Sequence, residues 1–368
     1  MPEISVVIPT YRRPELLITC LQHLELQVLE KDLFEVIVVS DGEDEKTRQA
    51  VDIYKRGSAL RLVYMNTPSR KGPAAARNMG WRNSLSAMIA FTDDDCRPES
   101  GWLLAFYNRL KDFSLVKEKQ TKANEPVLRE EQLRAVNTGV SEVKNKSIRE
   151  VQSTLTGETA ELVFSGYTIV PIDKNPTDHA LNTHGLQFAD FITANCACSR
   201  KALELAGGFD ERFGTAWRED SDLEFSFINH GIPIIKVREA VVVHPVREAP
   251  WGFSIKEQKK GQYDALLYKK HPLLYRKRLS PRIIIDFYFI MLTDLICLVS
   301  IIFGWWYIAV VTFIAVFIML TAFFLKRVKK TRKTTSHIWE MWVTSMIIPF
   351  LSVYWRVYGA IKYRVFFI

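Results

Sequence analysis

Apolar residues fall first into four short runs separated by mixed segments of helix length. Ile4 to Ile8 is mostly β-branched and breaks at Pro9-Thr10; Phe34 to Val39, Leu60 to Met65 and Ala87 to Thr92 repeat the pattern. Such runs, bounded by turn residues, read as buried strands. Their alternation with helical stretches predicts an α/β fold with a mostly parallel sheet, which places ligands at the carboxyl ends of the strands. From about 117 to 150 the chain turns to Lys, Glu, Gln and Asn with little apolar periodicity, as in an exposed insertion. Ile283 to Leu325 is apolar apart from Asp286 and Asp294. With about 20 residues needed per crossing, it holds two membrane helices turning near Gly304-Trp305. The stretch 338–360 mixes aromatics with Arg356 and is interrupted by Pro349, the pattern of an interfacial helix. The expected division is a catalytic domain over 1–270 and a membrane-associated region over 271–368.

Charge sharpens this picture. The 368 residues carry a formal net charge of +8. Many of the cations flank the long apolar stretch, with Lys269, Lys270, Arg276, Lys277, Arg278 and Arg282 before it and Lys326, Arg327, Lys329, Lys330, Arg332 and Lys333 after it. That distribution favours a membrane surface over nucleic acid, with the flanks on the cytoplasmic side. Five scattered cysteines without CxxC spacing suit a reduced compartment, and the N-terminus lacks the pattern of a signal peptide. The expected location is the cytoplasmic membrane, with the catalytic domain facing the cytoplasm.

Two acidic knots carry the candidate chemistry. Asp93, Asp94 and Asp95 follow a strand-like run. Like charges so close repel, and a cation relieves them; hard oxygen ligands suit Mn²⁺ or Mg²⁺ shared with substrate phosphates. An acidic turn or helix cap is the plainer reading of the same residues. The second knot, Glu219, Asp220 and Asp222 after Trp217, opens an apolar helix-like run. Carboxylates are favoured in a helix's first turn, yet one of them, held near a sugar, can also take a proton from an acceptor hydroxyl. Trp217 offers a wall for a sugar ring. His244 ends a β-branched run, where a neutral imidazole could complete a metal shell.

Six segments in order resemble glycosyltransferase family 2, whose members adopt the GT-A fold: SVVIPTYRRPE, VVSDG, GPAAARN, FTDDDCRPE, TANCACSRKALELAGGFDERF and WREDSDLEFSF. The resemblance covers roughly Ile4 to His244. It implies a nucleotide-sugar donor, with Asp41 on the base, the loop Pro9, Thr10, Tyr11 and Arg12 shaping that pocket, and Arg77 and Asn78 on the nucleotide or diphosphate. Asp93 and Asp95 form the DxD pair, Asp95 on the metal and Asp93 divided between metal and ribose, with Asp94 the spacer within the nucleotide site and His244 a third metal ligand. Asp220 corresponds to the catalytic base, Glu219 and Asp222 to residues that position it or bind acceptor, and Asn195 to an architectural, acceptor-facing position. The family's inverting displacement would follow. No QxxRW motif is found after the second knot, which favours transfer of one sugar over polymerisation. The expected acceptor is a lipid-linked glycan or glycolipid of the cell envelope. Two alternatives are a polyprenyl-phosphate glycosyltransferase, and an inactive membrane-tethered nucleotide-binding scaffold.

Overall fold

The computed structural model describes residues 1–113, 161–279 and 282–367; the polar segment at 117–150 lies outside them. Four strands come from the four apolar runs: β1 (Ile4–Thr10), β2 (Phe34–Ser40), β3 (Leu62–Asn66) and β4 (Met88–Phe91). They pair in parallel in the order β3-β2-β1-β4. Three helices make the crossovers: α1 (Pro14–Glu25), α2 (Glu45–Gly57) and α3 (Pro73–Asn83). Proline opens both α1 and α3, where its missing N–H has no intrahelical partner to lose.

Beyond β4 the sheet changes character. After β5 (Arg97–Pro98) and a helix over 102–113, α4, the chain adds β6 (Val163–Ile169), β7 (Cys196–Ser199) and β8 (Ile234–Val243). Strand β7 runs antiparallel between β4 and β6, while β8 runs parallel to β6 and antiparallel to β5. The sheet β3-β2-β1-β4-β7-β6-β8-β5 therefore brings the ends of β1, β4 and β8 to one edge of the site. Asn195 locks the irregular stretch of β6. Its Nδ2 donates to Tyr167 O and Ala240 O, both at 3.0 Å, and its Oδ1 accepts from Trp102 Nε1 at 2.8 Å. Fully buried and with these bonds made, Asn195 is architectural and does not face an acceptor, which corrects that half of the expectation.

Short helices α5 (Asp178–His184) and α6 (Arg200–Ala206) precede α7 (Glu219–Asn229), which carries the second acidic knot. After β8 come α8 (Phe253–Glu257), α9 (Gln262–Lys270), α10 (Pro272–Arg278), and three long helices, α11 (Arg282–Ile302), α12 (Trp306–Val328) and α13 (Thr335–Lys362). A turn at Gly304 joins α11 to α12, and both expose long apolar faces. Helix α13 continues through Pro349 rather than stopping there. Its middle packs on the hairpin through Ile348 and Val353, on either side of the proline, and its C-terminal end joins a cluster with Tyr263, Leu266 and Leu267 of α9. Packing at both contacts outweighs an interior proline, which costs about 3 kcal/mol. Arg327, read from sequence as part of a basic flank, is turned inward: it donates to Thr344 Oγ1 and Ser345 Oγ at 2.9 Å and to Asp178 Oδ2 at 2.6 Å.

The α9–α13 contact is close enough to require glycine. A Cβ on Gly359 would meet the Gln262 backbone oxygen at 2.4 Å. Gly359→Ala is expected to destabilise the full chain by about 1–3 kcal/mol, the usual cost of forcing a methyl into a packed contact. A thermal melt checks this; an unchanged midpoint would show that the helices separate at no cost.

Candidate active site

The first acidic knot sits in the turn after β4, and each of its three carboxylates points to a different set of partners. Arg77 Nη2 donates to Asp93 Oδ1 at 2.7 Å. Thr10 Oγ1 donates to Asp94 Oδ2 at 2.8 Å, and Arg13 Nη1 donates to Asp94 Oδ1 at 3.2 Å. Asp95 faces Arg247 Nε at 2.9 Å and His244 Nε2 at 3.8 Å. Asp94 thus serves as an inward tie between the knot and the loop after β1, and not as a nucleotide ligand. Burial, opposed by Arg13, pushes its carboxyl up to about 6. Burial would also raise Asp93, but Arg77, helped by His244 and Arg247, holds it below the usual carboxylate range.

Arg77 is the hinge of the site. Its side chain is 2% exposed, and its Nη1 donates to Glu219 Oε1 at 3.2 Å while Nη2 holds Asp93. Burial opposes the guanidinium charge, yet the two carboxylates keep it protonated. One side chain therefore joins two acidic knots that are 126 positions apart in sequence, Asp93 and Glu219. The resemblance implied nucleotide or diphosphate contacts for Arg77; here both of its terminal nitrogens are engaged by carboxylates, which it braces. Asn78 is likewise used internally: Nδ2 donates to Phe209 O and Glu211 Oε1, and Oδ1 accepts from Trp81 Nε1 and the Phe209 N–H. It is buried and corrected to a structural role.

The second knot presents Asp220 to the site. Glu219 is committed to Arg77, with Oε2 buried and without a hydrogen-bond partner among the described residues. Asp222 is buried on the far side, accepting from Lys270 Nζ at 2.7 Å with His271 Nε2 at 3.0 Å. It anchors α7 to α9 and the residue following it, the positioning alternative of the two that the resemblance implied. Asp220 is partly exposed and, among the described residues, accepts from the Ser221 N–H, at 2.7 Å, and its hydroxyl. Burial raises the carboxyls of both Glu219 and Asp220, and for Glu219 the neighbouring Asp220 charge adds to it. Trp217 stands at the rim, 39% exposed, with the Arg218 and Lys260 cations 4.7 and 5.7 Å from its ring.

Just after β2, Asp41 accepts from the Lys71 and Gly72 N–H groups at 2.7 and 2.9 Å and so closes the loop that opens α3. Gly72 has φ +102°, and a Cβ there would lie 2.7 Å from the Gly214 backbone, so only glycine permits this approach. Tyr11 is flanked by Arg12 and Arg70, whose guanidinium carbons lie 5.3 and 4.4 Å from its ring. Pro9 and Thr10, at the end of β1, are buried beneath that loop.

The residues after β4 and β8 suit a divalent cation. Ligand atoms of Asp95, Cys96 and His244 lie within 4.8 Å of one another, and the buried His244 Nδ1 has no hydrogen-bond partner among the described residues. Burial and the Asp93 and Asp95 charges hold the Cys96 thiol neutral, which leaves Asp95 and His244 as the donors a hard ion prefers. Asp93 lies outside this trio and faces Arg77. Arg247, half-exposed against Asp95, already places positive charge where the acidic pocket needs it. Sequence reading missed Arg13, Arg247 and Arg218; the first two follow strand ends within a few residues, a signal that basic side chains there merit scrutiny.

Residues 5–150 match the glycosyl transferase family 2. The glycosyltransferase AglE of Haloferax volcanii is 33% identical over 103 residues, 28% of this chain and 34% of its own. The chondroitin synthase of Escherichia coli is 25% identical over 298 residues, 75% of this chain and 39% of its own. The chain thus spans less than half the length of these curated relatives. Among solved structures, the mannosyltransferase PcManGT from Pyrobaculum calidifontis, in complex with GDP-Man and Mn²⁺, superposes with a TM-score of 0.51 at 15% identity, covering 98% of this chain and 88% of its own, which shows a shared GT-A-like fold. A loop after the first strand, an acidic turn and an acidic helix are thus assembled around one buried arginine in a GT-A-like fold, and residues 5–150 carry the similarity to glycosyl transferase family 2.

Proposed function

We propose that the chain moves one sugar from a nucleotide-diphosphate donor to a hydroxyl of a lipid-linked glycan or glycolipid, by a metal-dependent displacement that inverts the anomeric centre. The observation that carries this reading is the double ion pair of Arg77, which sets Asp220 beside the Asp93–Asp95 turn. In this reading Asp41 and the loop after β1 receive the nucleotide, and Asp95 with His244 would hold a divalent ion, with Asp93 toward the ribose or the same ion. Such an ion supplies neutralisation of the charge on the departing diphosphate. Asp220 takes the proton from the attacking hydroxyl as that oxygen reaches the anomeric carbon, and Trp217 borders the sugar. The Pyrobaculum protein of like fold carries GDP-Man and Mn²⁺, which supports the donor class and the ion.

Membrane association belongs to the same proposal. Two helices, Ile285–Ile302 and Trp306–Val328, are long and apolar enough to cross a bilayer, and most of their large side chains are exposed. With both crossings made, the catalytic domain faces the cytoplasm and an acceptor held in the bilayer reaches the Trp217 rim.

A panel of nucleotide sugars tested on the full chain, with and without Mn²⁺ and beside Asp95→Ala, checks the reading. Turnover of one donor that needs the ion and disappears in the variant is the expected result. Turnover that survives both chelation and Asp95→Ala would rule out the metal-dependent mechanism.

A further inference from the structure

Arg218, just before the Glu219-Asp220 pair, has φ +73°. A non-glycine residue holds this left-handed conformation only where its surroundings fix it. Its Nε donates to Asp264 Oδ1 on α9 at 2.6 Å, and its guanidinium lies over Trp217. The other oxygen of Asp264 faces Arg356 Nη1 of α13 at 3.7 Å, too long for a hydrogen bond. Arg356 is buried, with its guanidinium 3.9 Å from the Phe367 ring centre and its Nε and Nη1 without hydrogen-bond partners among the described residues. A buried ion pair with unsatisfied donors is a poor source of stability. Its geometry serves better to fix position. Around it, Lys362 Nζ donates to Gln262 Oε1 at 3.1 Å and Lys269 Nζ donates to Tyr363 O at 2.8 Å, so α13 and α9 are tied at three points.

We infer that Asp264 and Arg356 are positioning residues for the transfer reaction: the chain Arg356–Asp264–Arg218 holds the turn that presents Asp220 and couples it to α13, the helix seated on the apolar hairpin. This rests on the reading of Asp220 as the base. Asp264 and Arg356 touch no reacting atom; they act through the backbone at Arg218.

The test uses the full chain in lipid nanodiscs, following nucleoside diphosphate release from whichever nucleotide sugar the panel shows to turn over. Asp264→Asn and Arg356→Gln are expected to lower kcat on the order of tenfold to a hundredfold, as small misplacements of a catalytic group do, with donor KM unchanged. Arg356→Lys, which keeps the charge, should recover part of the loss. Arg218→Gly suits the positive φ and removes the tether, so it should reproduce the Asp264→Asn loss, and the double variant should lose no more. Hydrogen exchange needs no turnover and should show faster opening of 215–222 in Asp264→Asn, with 88–96 unchanged. An unchanged kcat in Asp264→Asn beside an inactive Asp220→Asn overturns the inference, as does unchanged exchange at 215–222 or loosening of the whole chain. Retained turnover in Asp220→Asn instead removes the base reading, and the inference with it.

Discussion

Asp220→Asn is expected to lose at least about a hundredfold, and up to ten-thousandfold, in kcat while still binding the nucleotide, the range that a positioned general base contributes. Asparagine keeps the size and the bond from the Ser221 N–H but accepts no proton from a hydroxyl. The loss should fall on kcat and not on donor affinity, because Asp41 and the loop after β1 stay intact. The wild-type pH profile gives a second reading. A base works only when ionised, and burial raises both Asp220 and Glu219, so activity should fall on acidification at a higher pH than for an ordinary exposed aspartate. The limb belongs to the pair and not to either residue alone. Steady-state kinetics across pH, with nucleotide binding measured separately, checks both; full turnover by Asp220→Asn would exclude it as the base.

Arg77→Met should be the most destabilising single change in the catalytic domain. Removing one partner of a buried ion pair costs about 3–5 kcal/mol, because the remaining charge is left uncompensated. Here one deletion strands two carboxylates, Asp93 and Glu219. For a domain of this size that cost corresponds to a drop in melting temperature of roughly 6–20 °C. Glu219→Gln in the Arg77→Met background should recover part of the loss, since it neutralises one stranded charge; independent, additive losses would mean that the two side chains do not interact. Activity should vanish in Arg77→Met even below its melting temperature, because the brace between the two knots is gone.

Much of the fold was legible from the residues. The apolar runs predicted β1 to β4 within a residue or two of their observed ends; β1, β2 and β4 are buried along their whole length and leave an unbroken apolar signature, while β3 is a half-exposed edge strand. His244 falls at the end of β8, as the run before it suggested. The acidic knots were visible because clustered carboxylates are conspicuous in any sequence. Local patterning also found the apolar hairpin and its turn at Gly304.

Partnership was not legible. A carboxylate reads the same in sequence whether it faces substrate or a buried cation, and only the sheet order decided among Asp93, Asp94 and Asp95 by setting Arg77, Thr10 with Arg13, and His244 with Arg247 beside them. The same holds for Glu219, Asp220 and Asp222: a helix turns about 100° per residue, so neighbours in sequence point to different walls. Asn78 and Asn195 looked polar enough for a ligand, but tertiary contacts used their amides inside the protein. Pro349 and Arg356 read locally as a break and a surface charge, yet packing on the hairpin and on α9 carried the helix through the first and buried the second. What the sequence determined was the strands, the chemistry available and its order along the chain. What only the tertiary structure decided was which charge meets which, because that depends on strand pairing and helix docking between residues separated in sequence.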